Sequence, residues 1–346
     1  MGRFRNKLEQ LKFAYYCFRK ANDARFIRRV KELDKENNMV SLENYGGEGY
    51  KEEPVYFINM EELSSGFFAE FNKLLTLLYF ADQYNLKSVV RFGKNCYYAE
   101  QHPVNGTDNP FEYYFMQPCS ISVNELSQYR CVLKSRRENS NFAIALNESS
   151  GGYARNEIYL GEMAKISAKY IRLNDIINKK MQKDMQNLGI NMEKTLAVHV
   201  RGTDFKQNYN GHPVQVTIAE YMQETFGVFQ KGNYDYIFLA TDDADAVQIF
   251  QGKFGEKAVF YQDVVRSSGN DTVMHSSLPR ENHHYLLGYE VLRDMYTLAG
   301  CEGLIAGLSQ VSYAARIQKK SVGKEYKDLI ILNKGINYHQ KDNCPA

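Results

Sequence analysis

The sequence predicts an α/β protein with two Rossmann-like halves, each built on a mostly parallel sheet. Short apolar segments of strand length alternate with longer segments whose apolar residues recur at helical spacing. This alternation is typical of consecutive β-α-β units. It occurs on both sides of residues 186–194, and 346 residues suffice for two domains. We therefore expect a basic N-terminal segment at 1–36, an N-terminal domain at 37–190 and a C-terminal domain at 191–346.

The first half predicts one β-α-β unit. Residues 55–60 and 87–92 have the apolar character of buried strands. Between them, a turn ending at Gly66 precedes five apolar residues at helical spacing: Phe67, Phe71, Leu74, Leu75 and Leu78. Residues 37–53 are polar and glycine-rich, which predicts a loop.

The second half predicts a longer run of the same units. Residues 155–188 favour helix, and residues 284–299 favour a helix with one apolar face. Five apolar segments are predicted strands, at 196–200, 236–240, 258–261, 303–306 and 328–332. Such a run of units predicts a doubly wound sheet.

Polar residues mark the expected starts of helices in this half. Thr217 and Glu220 have the spacing of a capping box, whose side chains satisfy free amides at a helix start. Asp242 or Asp243 is expected to cap the next helix, because aspartate is a favoured N-cap. Ser309 is expected to begin the helix after residues 303–306.

Composition and motifs argue against several classes of protein. The formal net charge of +2 is too small to favour nucleic acid as a partner. The phosphate-binding patterns GxxxxGK[ST] and GxGxxG after a strand are absent, as are HExxH and GxSxG. The six cysteines show no CxxC spacing, which argues against zinc and favours a reduced, cytoplasmic protein.

Four polar clusters follow predicted strands, where doubly wound folds bind ligands. They are His199–Asp204, Thr241–Asp243, Ser309–Gln310 and Ser64–Gly66. Arginine offers phosphate a planar fork of donors, and a helix N-terminus attracts anions. Arg201 and the helix beginning at Ser309 therefore predict a diphosphate site, the alternative being a separate surface pair for each residue. His283 and His284 are expected to point apart and to be solvated or capping rather than metal ligands.

Three blocks of the second half resemble a known family. His199–Asp204 is similar to the HxRRxD motif of the GDP-fucose-dependent α1,6- and α1,2-fucosyltransferases and the protein O-fucosyltransferases. Phe238–Asp243 is similar to the second conserved strand and turn of the α1,6 branch. Leu292–Asp294 with Ser309–Val311 is similar to its third block. Order and spacing agree from about residue 160 to about residue 320.

The resemblance implies a GT-B glycosyltransferase that moves fucose from GDP-fucose to a glycan or glycoconjugate acceptor, with inversion and no required metal. By position, His199 and Asp294 would read guanine. Arg201 and Ser309 would hold the β-phosphate, with Arg201 carrying the catalysis.

Further residues complete the implied site. Gln310 and the amides of the Gly66 loop would assist in binding the nucleotide sugar. Asp242 and Asp243 are expected to support the site as a helix cap and structural brace, not as metal ligands. Asp204 is the second residue expected to be catalytic.

The sequence departs from the family at two places. The second arginine of HxRRxD is Gly202, so one phosphate donor is lost. The α1,6 enzymes carry a glutamate shortly after the motif, which the resemblance implies as acceptor base, but residues 205–212 contain no acid. Asp204, Glu70 and His212 are candidate replacements. Alternatively, the sugar bond breaks early and needs little help from a base.

Two other functions stay open at this stage. The same fold with another GDP-sugar or nucleotide sugar would keep the guanine readers and change the sugar pocket. A catalytically degenerate carbohydrate-binding or scaffold protein would account for Gly202 and the missing glutamate. The presence of Arg201, Asp294 and Ser309 argues against the degenerate form.

The N-terminal segment is basic and amphipathic. Residues 1–36 hold eleven Lys or Arg against five Asp or Glu, and five apolar residues share a helix face: Phe4, Leu8, Leu11, Tyr15 and Phe18. Such a helix either lies on an anionic membrane or docks on the protein's own surface. No apolar run reaches the roughly 18–20 residues that cross a bilayer, and no signal peptide is expected.

Overall fold

The computed structural model describes residues 11, 15, 41–43, 51–61, 65–136, 156–202, 209–268, 273 and 278–338. These residues divide into two compact units. The first contains Glu70–Cys96, Asn109–Leu173 and the described residues before Ser64; the second contains Ser65–Ala69, Tyr97–Asp108 and the described residues from Asn174 onward. Each unit has its own mostly parallel sheet, which confirms the predicted α/β class.

The first unit contains a small mixed sheet. Its strands in the described chain are β1 (Ser41–Glu43), β2 (Val55–Met60), β3 (Lys87–Phe92) and β4 (Val132–Lys134). Their order is β1-β4-β2-β3, with β2 parallel to β3 and β4, and β1 antiparallel to β4. The predicted strands β2 and β3 are confirmed. The prediction of a loop over 37–53 is wrong at β1, because a three-residue strand shows no period.

Helices and side-chain amides complete the first unit. The helices are α1 (Phe67–Gln83) and α2 (Glu157–Tyr170), and residues 123–128 form a 3₁₀ turn. The buried amide of Asn109 donates to the Val90 carbonyl and accepts from the Phe92 amide, at 2.9 Å each. Gln117 bonds both backbone groups of Val90 at 2.8 Å. These side chains pair the free edge of β3, which would otherwise leave backbone groups unsatisfied.

The second unit contains a fully parallel sheet. Its strands in the described chain are β5 (Thr195–Val200), β6 (Tyr236–Thr241), β7 (Ala258–Val259), β8 (Gly303–Gly307) and β9 (Asp328–Leu332). They lie in the order β7-β6-β5-β8-β9. Every residue of β5 is buried, as expected for a central strand covered on both faces.

All five predicted strands of this unit are present, but the prediction for 258–261 is too long. β7 pairs only with β6, and the ladder ends at Phe238 and Val259. Beyond it, Arg266 donates to the Tyr261 carbonyl at 2.8 Å and holds that carbonyl in a turn. An apolar run on an edge strand therefore gave no sign of where pairing stops.

Five helices in the described chain of the second unit surround this sheet: α3 (Asp175–Asn187), α4 (Ile218–Lys231), α5 (Ala244–Phe254), α6 (His283–Gly300) and α7 (Gln310–Ser321). The helical prediction for 155–188 holds, but the segment is two helices, since Asn174 caps α3. The capping box of Thr217 and Glu220 is confirmed. Asp243, rather than Asp242, caps α5.

Candidate nucleotide-sugar site

The strand order of the second sheet reverses between β5 and β8. The chain runs outward from β5 to β6 and β7, then returns to the other side of β5 as β8 and β9. His199 pairs with Ala306, so Arg201 and Ser309 follow neighbouring strands at the same edge. Doubly wound sheets bind ligands outside the carboxyl ends of their strands at such a reversal.

Arg201 is held in place by the strand on its other side. Its Nη1 lies 3.1 Å from Oδ2 of Asp242, which follows β6. The other oxygen of Asp242 accepts from the Gly202 amide at 2.9 Å. One carboxylate thus fixes both the guanidinium and the backbone that carries it. The side chain of Arg201 is 28% exposed, so it is half-buried and still open to an anion.

Gly202 fits where no other residue would. A Cβ atom at this position would lie 2.5 Å from Cβ of Asp243 and 2.9 Å from Oδ1 of Asp242. Asp243 is fully buried, and its side chain caps α5 by accepting from the Asp245 amide at 2.9 Å. Close approach of β5 to this turn therefore requires glycine. A second arginine, as in an HxRRxD motif, has no room here.

Ser309 joins the start of α7 to β5. Its buried hydroxyl accepts from the Ser312 amide at 3.0 Å and lies 3.3 Å from Nδ1 of His199. The Ser312 hydroxyl in turn bonds the carbonyl of Gly307 at 2.9 Å. The expectation that Ser309 begins a helix is confirmed. Its hydroxyl is committed to this network, which leaves the Val311 amide as a donor of the first turn.

Burial keeps His199 neutral. Desolvation, with a smaller contribution from the Arg201 charge, lowers the pKa of His199 to about 3. A neutral imidazole has one donor and one acceptor nitrogen, and the Ser309 hydroxyl contacts Nδ1. His199 therefore adds no second cation beside Arg201, and its other nitrogen is the one that could meet a ligand.

Tyr221 bridges the ends of β5 and β8, a role that the sequence analysis missed. Its ring on α4 is buried, and its hydroxyl would overlap a Cβ atom at Gly307. Burial raises the pKa of Tyr221, and hydrogen bonds with the backbone of Arg201 and Gly307 oppose that rise. The capping box that predicts α4 also places this tyrosine on its first turns, but nothing in its spacing marks it.

Asp294 is a buried carboxyl group on α6. It is 8% exposed, and it forms no hydrogen bond with the side chains that the structure describes. Burial raises its pKa to about 7; Arg293 and Arg266 oppose the rise, while Glu290 and Asp263 add to it. No hydrogen bond joins Asp294 to His199 among the described residues. A buried carboxyl without a bonded partner is costly unless a ligand completes it.

An ion cluster lies directly beside Asp294. Arg293 is 2% exposed and donates to Asp184 at 2.8 Å and to Asp263 at 3.1 Å. Its guanidinium stacks 3.8 Å from the ring centroid of Tyr261. Tyr289 also donates to Asp184, at 2.8 Å. The sequence gave no sign of this cluster, because Asp184, Asp263 and Arg293 are far apart along the chain.

The remaining residues that were expected in the site differ in their burial and contacts. Gly66 is half-buried and precedes α1, but the Phe67 amide beside it already bonds the Tyr98 hydroxyl at 2.8 Å. Gln310 is half-buried at the start of α7. His212 is half-buried and its ring lies 5.7 Å from that of Tyr209. Glu70, by contrast, is buried in the first turn of α1.

Asp204 lies outside the described residues. The 1–36 segment also lies outside them, apart from Leu11 and Tyr15.

The adjacent histidines do not point apart, contrary to the sequence prediction. Their ring centroids are 5.4 Å apart in an edge-to-face arrangement. His283 is buried rather than solvated, since its Nδ1 accepts from Nε of Arg280 at 2.9 Å and turns the ring inward. The N-cap is Asn282. Among the described residues, no group of three His, Cys, Asp or Glu side chains is placed to hold a metal ion.

Comparison with known proteins gives matches at the level of structure. No family model matches the chain, and no curated protein sequence matches it. It is similar to NodZ α-1,6-fucosyltransferase co-crystallised with GDP, at 16% identity over 78% of this chain and 92% of that one, with a TM-score of 0.47. The match to fucosyltransferase NodZ from Bradyrhizobium has 15% identity over 78% of this chain and 92% of that one, with a TM-score of 0.47. The match to POFUT1 in complex with GDP has 12% identity over 81% of this chain and 99% of that one, with a TM-score of 0.43.

Proposed function

We propose that the protein is a glycosyltransferase that uses GDP-fucose as donor and a glycan or glycoconjugate hydroxyl as acceptor. One observation carries this proposal. Arg201 and the capped N-terminus of α7 follow the two strands between which the order of the parallel sheet reverses. A guanidinium and a helix N-terminus on one crevice form a site for a diphosphate.

Guanine is the base that the site suits best. The carboxyl group of Asp294 is buried and has acceptor oxygens but no bonded donor among the described residues. Guanine presents two adjacent donors, N1–H and the N2 amino group, which one carboxylate accepts together. Uracil and cytosine present no such pair. His199 contributes from the β5 side through its second ring nitrogen.

The proposed reaction is an inverting displacement. The bond between the sugar C1 and the β-phosphate oxygen breaks, and GDP departs with that electron pair. The acceptor oxygen bonds C1 from the opposite face and loses its proton to a base or to water. Arg201 stabilises the charge that grows on the β-phosphate, so its benefit increases toward the transition state. Asp204 and His212 are the candidate bases of the second unit.

Calorimetry with nucleoside diphosphates tests the proposal. GDP is expected to bind, while UDP and CDP are expected to bind at least tenfold more weakly, since neither offers Asp294 a pair of donors. GDP-fucose hydrolysis then tests the sugar, with GDP-mannose as the matched donor. Equal binding of UDP would overturn the assignment of guanine, and turnover of GDP-mannose alone would overturn fucose.

We further propose that no metal is required, since Arg201 supplies the positive charge on the leaving group. Turnover is expected to be the same in EDTA as in magnesium or manganese. Activity that disappears in EDTA and returns with either ion would contradict this.

We also propose that the protein acts in the cytoplasm and contacts the membrane surface through residues 1–36. No helix of the described chain is long and apolar enough to cross a membrane. The membrane contact rests on the charge of that segment and is tested below.

A further inference from the structure

The loop after β7 is bonded to α6 at three residues near Asp294. Residues 290, 294 and 297 share one face of α6, because positions three and four apart are neighbours on a helix. The Val265 amide donates to Glu290 at 3.2 Å, and the Tyr261 hydroxyl lies 2.9 Å from that of Thr297. Asp263 is paired with Arg293, the residue before Asp294. Residues 261–266 are therefore fixed across the face that carries Asp294.

Arg266 ends this loop as a cation without a bonded anion in the part of the chain that the structure describes. Its Nη2 donates to the Tyr261 carbonyl at 2.8 Å and its Nη1 to the Val264 carbonyl at 3.1 Å. Both partners are neutral, whereas Arg293 next to Asp294 is bound to two carboxylates. Nε of Arg266 is enclosed and has no hydrogen-bond partner among the described residues. Burial lowers the pKa of Arg266, and among the charges around it Asp294 opposes that shift most.

Asp294 on α6 and Arg266 on the loop bonded to that helix thus carry complementary hydrogen-bonding groups that are unfilled among the described residues. One offers carboxylate oxygens and the other an N–H donor, yet no hydrogen bond joins them to each other. A group that fills both must carry an N–H donor beside a carbonyl acceptor. The lactam edge of guanine, with N1–H next to the C6 carbonyl, is such a group.

We propose that Arg266 is a specificity-determining residue that donates a hydrogen bond to the C6 carbonyl oxygen of guanine while Asp294 accepts from N1–H and the N2 amino group. This inference rests on the proposed use of a guanine nucleotide. Adenine is rejected at both positions, because it carries an amino donor at C6 and an unprotonated N1. The pair would therefore select guanine against adenine as well as against pyrimidines.

Replacing one atom of the ligand tests the contact. In 6-thio-GDP, sulfur, a weak acceptor, replaces O6 while N1–H and the N2 amino group remain. We expect the wild-type protein to bind GDP about tenfold more tightly than 6-thio-GDP, the worth of a hydrogen bond to a charged donor. In Arg266→Met this ratio should fall close to one. IDP, which keeps O6 and lacks the N2 amino group, should lose affinity equally in both proteins.

Arg280→Met is the matched control. Arg280 also supports the neighbourhood through Glu290 and His283, but it carries no proposed contact with the base. The Arg280→Met variant should keep the wild-type ratio of GDP affinity to 6-thio-GDP affinity even if both affinities fall. A purely structural role for Arg266 would weaken both nucleotides equally and leave the ratio unchanged, which would overturn the inference. A ratio near one in the wild-type protein would overturn it without any variant. Failure to bind GDP at all would instead reject the proposed function.

Discussion

Arg201 is the residue on which catalysis should depend most. We expect Arg201→Ala to lower turnover of GDP-fucose about 100- to 1000-fold, the usual cost of losing a preorganised donor to a developing charge. Arg201→Lys should recover little, because a point charge lacks the planar fork that spans Asp242 and a phosphate. The measurement is initial rate at saturating donor, with GDP affinity determined in parallel.

A brace without a catalytic role would behave differently. If Arg201 only fixed the turn through Asp242, then Arg201→Lys would melt at a lower temperature and keep most of its turnover. Asp242→Asn is a useful companion, since it retains an acceptor for Arg201 and removes the charge. Near-normal turnover in a folded Arg201→Ala protein would end the assignment.

The raised pKa of Asp294 predicts that nucleotide binding depends on pH. Guanine donors bind the ionised carboxyl, which predominates only above the pKa of about 7. Affinity for GDP should therefore rise about tenfold between pH 6 and pH 8, with release of a proton to the buffer on binding near pH 7. Calorimetry in two buffers of different ionisation enthalpy measures both effects.

Asp294→Asn separates this group from the titration of the phosphate itself. The variant should bind GDP more weakly by about 1.5–3 kcal/mol at pH 8 and keep only the pH dependence of the ligand. The folded pKa lies above the unfolded value, so the stability from Asp294 is present below about pH 4 and is lost as pH rises through about 7. The Asp294→Asn substitution should thus raise the melting temperature at pH 8 and not at pH 4. An unchanged pH profile of GDP binding would contradict the role of Asp294.

At the scale of elements, the end of β5 can approach the cap of α5 only because residue 202 is glycine and has no side chain. Gly202→Ala should destabilise the protein by about 1–3 kcal/mol, because the new methyl group would overlap the buried Asp243. It should also lower turnover, since Asp242 can no longer hold Arg201. Gly202→Arg, which restores the family's motif, should reduce activity rather than raise it. Denaturant unfolding and initial rates measure both effects.

Gly227 provides the matched control within α4. No atom lies within 4 Å of a Cβ built there. Gly227→Ala should stabilise the protein by about 0.5–1 kcal/mol, because alanine favours the helix. If both alanine variants gained stability, the close approach at Gly202 would be refuted.

The strand ends also show which parts of the candidate site could be predicted from the sequence. Strand ends rich in polar residues predicted the position of Arg201 and Ser309, since parallel strands bring their carboxyl ends to one edge. The bond of Arg201 with Asp242 was not predicted, because these two residues are 41 positions apart in the sequence. Only the pairing of β5 with β6 brings these two together. The same edge rule, applied to both strands, would have found it.

The roles of Arg266 and Arg293 could not be predicted from the sequence, for a physical reason. Their importance comes from burial and from carboxylates distant in sequence, and neither has a period or a motif. Asp294 was selected only through the resemblance of its block to a family. Nothing in the residues around it distinguishes a buried, bond-free carboxyl from an ordinary helical aspartate.

At the scale of the whole molecule, the basic N-terminal segment can bind either an anionic membrane or the protein's own surface. Leu11 and Tyr15 are helical and lie four residues apart, on one face. They are 65% and 64% exposed. A helix docked through these two residues on the protein's own surface would bury them, so their exposure favours an external apolar partner. With a net charge of +6 over 1–36, an anionic bilayer surface suits the segment best.

Vesicle sedimentation tests this membrane contact. Vesicles with about one-third phosphatidylserine should retain the full chain at low salt and release it as salt rises, because exposed charges are screened beyond about 10 Å at 0.1 M. A chain beginning at residue 37 should remain in the supernatant, as should Leu11→Glu with Tyr15→Glu, which keeps the segment and removes its apolar face. Neutral phosphatidylcholine vesicles should retain neither protein. Equal sedimentation of the truncated and full chains would show that other surfaces bind lipid, and retention of the double variant would show that charge alone suffices.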